Sequence, residues 1–331
     1  MWHWKAPKST YMAGESRGFA KGNASKPLRN GTVDQGPREG ILSMDAIAEH
    51  KQLPSNDFEA AWDSIKVDAS VKERLVAQAV LSLQMRQKFS FEQVPMHGLI
   101  IMSGPPGTGK TTLARGLANQ IAKVVGKAQY VQLDAHALGS SSLGKSQKEV
   151  SKIFSQTIPE LAMSMPAVVL LDEVETLAAD RQRMSLEANP IDAHRATDAA
   201  LAGIDLLCRK HRNTLLIATT NYPKAVDRAL LSRADWIEDI GPPNAEARAE
   251  IILDVLALLG RQWPKLGLLS SQIAAFVKAS EGMDGRRLRK AMTSAAAISI
   301  ETAKDPNKVT SKDVLDTLKR AAAQADLEDA A

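Results

Sequence analysis

Eight consecutive residues, Gly104-Pro105-Pro106-Gly107-Thr108-Gly109-Lys110-Thr111, constrain this chain more than any other feature. They follow the apolar run Leu99-Ile100-Ile101-Met102 and precede Thr112-Leu113-Ala114-Arg115-Gly116-Leu117-Ala118, which reads as a helix. A buried strand, the pattern GxxxxGK[ST] and then a helix form the context of a phosphate-binding loop. The glycines let the backbone curl so that several N–H groups point at one phosphate chain. The helix that starts there adds unpaired N–H groups and the positive end of its dipole. Residues Gly104 to Thr112 are therefore the candidate phosphate cradle. Lys110 would reach the β- and γ-phosphates of ATP, and the Thr111 hydroxyl would ligate Mg²⁺. A glycine-rich turn with a surface lysine is the ordinary alternative, and it leaves the eight matched positions unexplained.

Size and charge bound the rest. The chain has 331 residues, enough for one large domain and a smaller one. A formal net charge of +4 is too small to argue for nucleic acid. Cys208 is the single cysteine, which excludes an intrachain disulfide. With no secretory signal pattern, it favours a reducing, cytoplasmic setting. No apolar run approaches the roughly 20 residues of a membrane-spanning helix.

Residues 1–56 read as a flexible basic tail without a sustained period, and within it Ile41 to Gln52 reads as a short amphipathic helix. Trp2 and Trp4 keep a partner-binding role open for this tail. From Phe58 the pattern is globular. Apolar strands at Leu99–Met102, Tyr130–Leu133, Val168–Leu171, Leu215–Ala218 and Trp236–Ile240 alternate with helices. That alternation predicts an α/β fold with a five-stranded parallel sheet flanked by helices. Beyond Gly241-Pro242-Pro243 only helices are expected, at Ala245–Leu259, Leu269–Ala279, Gly285–Ala303 and Ser311–Ala323. The expected division is a tail over 1–56, a large α/β domain over 57–241 and a small helical lid over 242–331.

The second half of the candidate site is Val168-Val169-Leu170-Leu171-Asp172-Glu173. A strand ending in two acids beside the phosphate loop supplies what hydrolysis needs. Asp172 would hold Mg²⁺, and Glu173 would polarise the attacking water. Asn221 closes another apolar strand; it either orients that water or caps the turn before Pro223, and the residues alone leave both open. Arg233 and Arg286 carry guanidinium groups suited to transition-state phosphate charge, although a lone arginine is more often a surface ion-pair partner.

In this order, Gly104–Thr111, Leu170–Glu173, Asn221, Arg233 and Gly285-Arg286 resemble an AAA+ ATPase over roughly residues 58–300. Further stretches are similar to its pachytene-checkpoint branch, whose members remodel HORMA-domain proteins. They are Trp62-Asp63-Ser64-Ile65, Asp172-Glu173-Val174-Glu175-Thr176-Leu177, Asp192 to Asp198, Arg233-Ala234-Asp235, Ile240 to Pro243 and Ser280 to Arg286. The resemblance implies a homo-hexamer with ATP between subunits. It implies that Asn221 is the sensor-1 residue and that Arg233 acts on the neighbour's ATP. Arg286 would be the sensor-2 residue, with Ile65 and Val67 bordering the adenine.

The resemblance also places a pore loop at Ser142, Leu143 and Lys145, where eukaryotic members carry aromatics and this chain has none. The short N-terminal tail resembles the compact bacterial members that serve anti-phage systems. There the implied client is a HORMA-domain protein, alone or with a cyclic-nucleotide synthase. Two other readings stand beside this one: an AAA+ motor or loader on nucleic-acid complexes, and a nucleotide-gated scaffold without turnover. No membrane role is expected, and nucleic acid is disfavoured.

Overall fold

Leu99–Ser103, Ala167–Leu171 and Thr214–Thr220 are buried at every position. Strands with no polar face need cover on both sides, which places them inside a parallel sheet. A computed structural model shows that arrangement; it describes residues 46–140, 145–178 and 190–329, all within the unit Leu42–Ala331. The strands are β1 (Ile47–Leu53), β2 (Leu99–Ser103), β3 (Ala128–Leu133), β4 (Ala167–Leu171), β5 (Thr214–Thr220) and β6 (Trp236–Asp239). They lie in the order β1-β3-β4-β5-β2-β6, parallel except where β1 pairs antiparallel with β3.

The sheet therefore has six strands rather than the five expected. The extra one, β1, falls where the sequence suggested a tail and a short helix. Its alternation is masked because Glu49 and Lys51, at half-buried positions between Ile47 and Leu53, are charged. Glu49 pairs with Arg115 and Lys51 with Asp57 at 2.7 Å, while exposed His50 bonds Gln129 at 3.0 Å. The backbone of β1 finds its partners on the free edge of β3, which no local pattern announces.

Side chains alternate across the sheet, as the pleat requires. Ile100, Met102, Val168 and Leu170 face a layer formed by the helices Asn56–Ser64, Ala69–Lys88 and Lys110–Val125. Leu99, Ile101, Val169 and Leu171 face the other layer, to which the Pro190–Lys210 helix contributes Ile204 and Leu207. Burying each such side chain stabilises the fold by about 1.5–3 kcal/mol. A third cluster, including Ile252, Phe276, Leu288 and Leu318, holds the helices beyond Pro243 together.

There, the single helix expected over Gly285–Ala303 is broken. Gly285–Ser294 ends in a tight turn at Ala295–Ala297, and a new helix starts at Ile300. Ser299 accepts from the Thr302 N–H and the Thr302 hydroxyl accepts from the Ser299 N–H, both at 3.1 Å. This reciprocal capping satisfies locally what a continuous helix would have satisfied. Among the described residues no helix is long and apolar enough to cross a membrane.

The layer under β2 and β4 sets a first expectation. Leu117→Ala, in a fully buried position, should lower the unfolding free energy by about 2–5 kcal/mol in a denaturant titration. Leu81→Ala, at a position 45% exposed, should change it little.

Candidate nucleotide site

Three strands deliver their carboxyl ends to one edge. Ser103 pairs with Thr220 and Leu171 with Ala218, so Gly104, Asp172 and Asn221 emerge side by side. A ligand in an open α/β sheet binds at such an edge.

The loop from β2 can take its shape only with glycine at key points. Gly107 has φ +86, and a Cβ there would stand 2.3 Å from the Asp284 carboxylate. Gly109, with φ +92, begins the Lys110–Val125 helix, and a Cβ there would stand 2.6 Å from Ile65 Cδ1. The first glycine thus admits the C-terminal helices to the loop, and the second admits Ile65. Lys110 is buried, its Nζ donating to the carbonyls of Gly104 and Pro105 at 2.8 Å each. Burial pushes its ammonium below the usual lysine range, and the carboxylates of Glu175 and Asp172 act against that shift.

Asp172 accepts from the Thr111 hydroxyl at 2.8 Å and from the Thr219 hydroxyl. A hydroxyl and a carboxylate at the head of a phosphate loop are the hard oxygen donors that Mg²⁺ takes, with phosphate and water completing its shell. Among the described residues no cluster of three or more acidic, His or Cys side chains offers an all-protein metal cage.

Glu173 has φ +51, the one positive φ outside glycine among the described residues. A left-handed backbone at a non-glycine costs roughly 1–2 kcal/mol and persists where surroundings enforce it. Here the Glu173 N–H donates to the Thr219 hydroxyl at 3.1 Å. The Glu173 carboxylate accepts from Asn221 Nδ2 at 3.3 Å. The Asn221 side chain therefore turns to Glu173, while the Thr220 hydroxyl closes the turn by accepting from the Tyr222 N–H at 3.1 Å.

Two participants were not singled out in the sequence. Thr219 bonds both acids of the β4 end. Glu175 accepts the Asn221 N–H at 3.1 Å with one oxygen and buries the other without a hydrogen bond. The burial of Glu175 depends on a turn three residues long, at Val174–Thr176, and nothing in the local pattern marks it.

Lys110, Thr111, Asp172, Glu173, Asn221 and Arg286 line a cleft of about 120 Å³. On the other side of Gly107 and Gly109 a slot of about 350 Å³ opens between Ile65, Val67, Thr112, Ile251 and Arg289. Arg286 lines both, and its N–H donates to the Gly107 carbonyl at 3.3 Å and to Asp284 at 2.8 Å. A larger basic cavity of about 500 Å³ lies against Pro106, Arg287, Lys290 and Arg320, and neither Asp172 nor Glu173 lines it. The two acids at the end of β4 face the smaller cleft, not this cavity.

Arg233 stands elsewhere. It lies just before β6, separated from it by Ala234 and Asp235, and the Asp235 N–H donates to the Leu99 carbonyl at the start of β2. The phosphate loop follows the end of β2, about 16 Å away along five residues of strand. The guanidinium pairs with Asp205. Of the expected pore-loop residues, Ser142 and Leu143 lie outside the described residues; Lys145 opens a helix, Lys145–Lys152, and its side chain is not among those described.

Comparison with known proteins agrees with this geometry. Residues 100–242 match the ATPase family associated with various cellular activities (AAA). The chain is 43% identical over 274 residues to CD-NTase-associated protein 6 of Pseudomonas aeruginosa, covering 82% of this chain and 90% of the relative. It is 32% identical over 303 residues to the pachytene checkpoint protein 2 homolog of Rattus norvegicus, covering 81% of this chain and 69% of that one. Its fold matches Caenorhabditis elegans PCH-2 with a TM-score of 0.65 at 25% identity, covering 83% and 75% of the two chains. A chain from the E. coli MS115-1 HORMA:CdnC:Trip13 complex matches with a TM-score of 0.68 at 20% identity, covering 84% and 96%. The cradle, the two acids and these similarities together make the chain a member of the AAA ATPase family, in the branch of CD-NTase-associated protein 6 and pachytene checkpoint protein 2.

Proposed function

We propose that this chain hydrolyses ATP between neighbouring copies of itself and uses the cycle to remodel a HORMA-domain protein. The observation that carries this reading is the distance between cradle and guanidinium. Lys110, Asp172 and Glu173 gather at the carboxyl edge of the sheet, while Arg233 sits at the amino end of β6. An arginine that distant from its own cradle can serve a head-to-tail neighbour, and head-to-tail contacts that close by rotation form rings. A homo-hexamer is the ring we assign.

In that site the triphosphate lies over the loop amides with Lys110 against its β- and γ-groups. The adenine occupies the slot beside Ile65 and Val67, where these side chains and Ile251 offer apolar surface to a flat base. Thr111 and Asp172 would hold Mg²⁺, which supplies charge neutralisation at the phosphate oxygens. Glu173, steadied by Asn221, takes a proton from water as the water oxygen attacks the γ-phosphorus. The bond to the β–γ bridging oxygen breaks, leaving ADP and inorganic phosphate. Arg233 of the next subunit and Arg286 stabilise the charge that spreads over the phosphoryl oxygens.

Arg286 belongs to the C-terminal helices, residues 242–331, which we assign as the lid. Its N–H bonds the Gly107 carbonyl, and through that link loss of phosphate would be passed to the lid. That movement would drive a pore loop at Ser142, Leu143 and Lys145 along the client.

The choice of client rests on the relatives. CD-NTase-associated protein 6 and the pachytene checkpoint homologues share the sequence, and the E. coli complex with the matching fold unites HORMA, CdnC and Trip13. We assign a HORMA-domain client, alone or with a cyclic-nucleotide synthase, in the cytoplasm. Disassembling it would silence a cyclic-nucleotide anti-phage signal.

Two sets of variants test the chemistry. Lys110→Ala should weaken ATP binding about ten- to a hundredfold in a fluorescent-nucleotide titration, because a charged hydrogen-bond donor is lost. Undiminished affinity would remove Lys110 from the cradle. Glu173→Gln should bind ATP normally, release phosphate about a hundredfold more slowly and retain a HORMA-domain protein on ATP-loaded beads. Arg233→Ala should bind ATP and fail to hydrolyse it, and an equal mixture of the two inactive variants should recover part of the activity. A mixture as inactive as its components would contradict a site shared between subunits.

A further inference from the structure

Arg233 does not hang free at the surface. Its Nε and Nη2 donate to the two Asp205 oxygens at 2.8 Å each, and its Nη1 donates to the Ala229 carbonyl at 2.7 Å. Three of its five N–H groups are thereby engaged, which leaves one on each Nη for an incoming anion. The guanidinium plane is fixed along its Nε–Nη2 edge.

The surroundings make this a mount rather than a loose ion pair. The Arg233 side chain is 22% exposed and that of Asp205 38%. Asp205 lies in the last two turns of the Pro190–Lys210 helix, which leads into β5 and so to Asn221. Behind Asp205, His97 Nε2 stands 3.6 Å from its Oδ1, and the His97 ring packs edge-on against Phe91 at 4.9 Å. The backbone beyond Arg233 is pinned as well. The Asp235 carboxylate accepts from the N–H groups of His97 and Gly98 at 2.8 and 2.7 Å, and from the Ser82 hydroxyl at 2.9 Å. With the chain held on that side, the direction of the guanidinium is the remaining freedom, and Asp205, with two of its three hydrogen bonds, restricts it together with the Ala229 carbonyl.

We infer that Asp205 is the positioning residue of the shared site: it aims the Arg233 guanidinium outward for the phosphate of a neighbouring copy. This rests on the reading of Arg233 as a group acting between subunits. The two groups also stabilise each other's charge: the hydrogen bond from Arg233 holds the Asp205 carboxyl below its usual range, and Asp205 raises Arg233 in turn. Orientation is worth having here, because displacing a reacting group by about 1 Å can cost about a hundredfold in rate.

The test measures ATP turnover against ATP concentration for the full chain carrying Asp205→Ala, Asp205→Asn or Arg233→Ala, with the thermal midpoint of each. Asp205→Ala should lower kcat about tenfold or more and leave KM within about twofold, since its own cradle is untouched. Asp205→Asn, which can still accept one of the two bonds, should fall between. Mixing Asp205→Ala with Glu173→Gln subunits should restore activity, because the second variant brings a correctly mounted arginine to the first variant's intact cradle. A merely destabilised subunit would gain nothing from that mixture.

Full or raised kcat in both Asp205 variants, with Arg233→Ala inactive, overturns this inference alone; so does a loss that mixing does not repair. Should Arg233→Ala itself turn over ATP at the unaltered rate, the shared-site reading falls and takes the inference with it.

Discussion

The parallel register of β4, β5 and β2 is the constraint on which the nucleotide site depends. Backbone hydrogen bonds set Leu171 beside Ala218 and Ser103 beside Thr220. A slip of one residue in any of these strands would turn Ile100, Val169 or Leu216 to the wrong layer, so core burial locks the register. The same lock brings Gly104, Asp172 and Asn221 to one edge. The geometry of the candidate site is thereby held by the most buried part of the protein, and the short polar bonds among Thr111, Asp172, Thr219 and Glu173 only refine it.

The far end of the sheet is organised by a different set of forces. Asp235 accepts three hydrogen bonds where β2 begins, and Asp205 clasps Arg233. The core supplies the rigid distance between the two ends, and polar clamps set the direction at each. Asp205, in the last turns of the helix that leads into β5, and Asn221, directly after β5, flank the two ends of that strand. A shift of that segment would therefore be felt both at the Asn221–Glu173 contact and at the Asp205–Arg233 pair.

The parts of this arrangement that sequence disclosed share a property: their chemistry is local. Gly104–Thr111 is a continuous pattern with a strand before it and a helix after it, and Asp172-Glu173 directly ends an apolar run. Strands without a polar face, such as Leu99–Ser103, declare their burial unaided. What stayed hidden depends on distant partners. β1 carries polar residues whose alternation makes sense only against β3 and Arg115. Asp205 is one acid on an amphipathic helix until the fold brings Arg233, 28 positions later, against it. Glu175 sits two residues from Glu173 with no local signal of its own, since its buried oxygen follows from a three-residue turn. Even the Gly285–Ala303 break arises from a reciprocal Ser299–Thr302 cap that competes with a good helical pattern.

The central claim is geometric: one copy supplies the cradle and the next supplies the guanidinium. The most direct measurement is a structure of the assembled Glu173→Gln protein with ATP and Mg²⁺. The account predicts a closed ring in which Arg233, still clasped by Asp205, places an Nη within about 3 Å of a γ-phosphate oxygen bound over the neighbour's Lys110. A closed assembly with ATP in every cradle and Arg233 remote from all of the phosphates would contradict it.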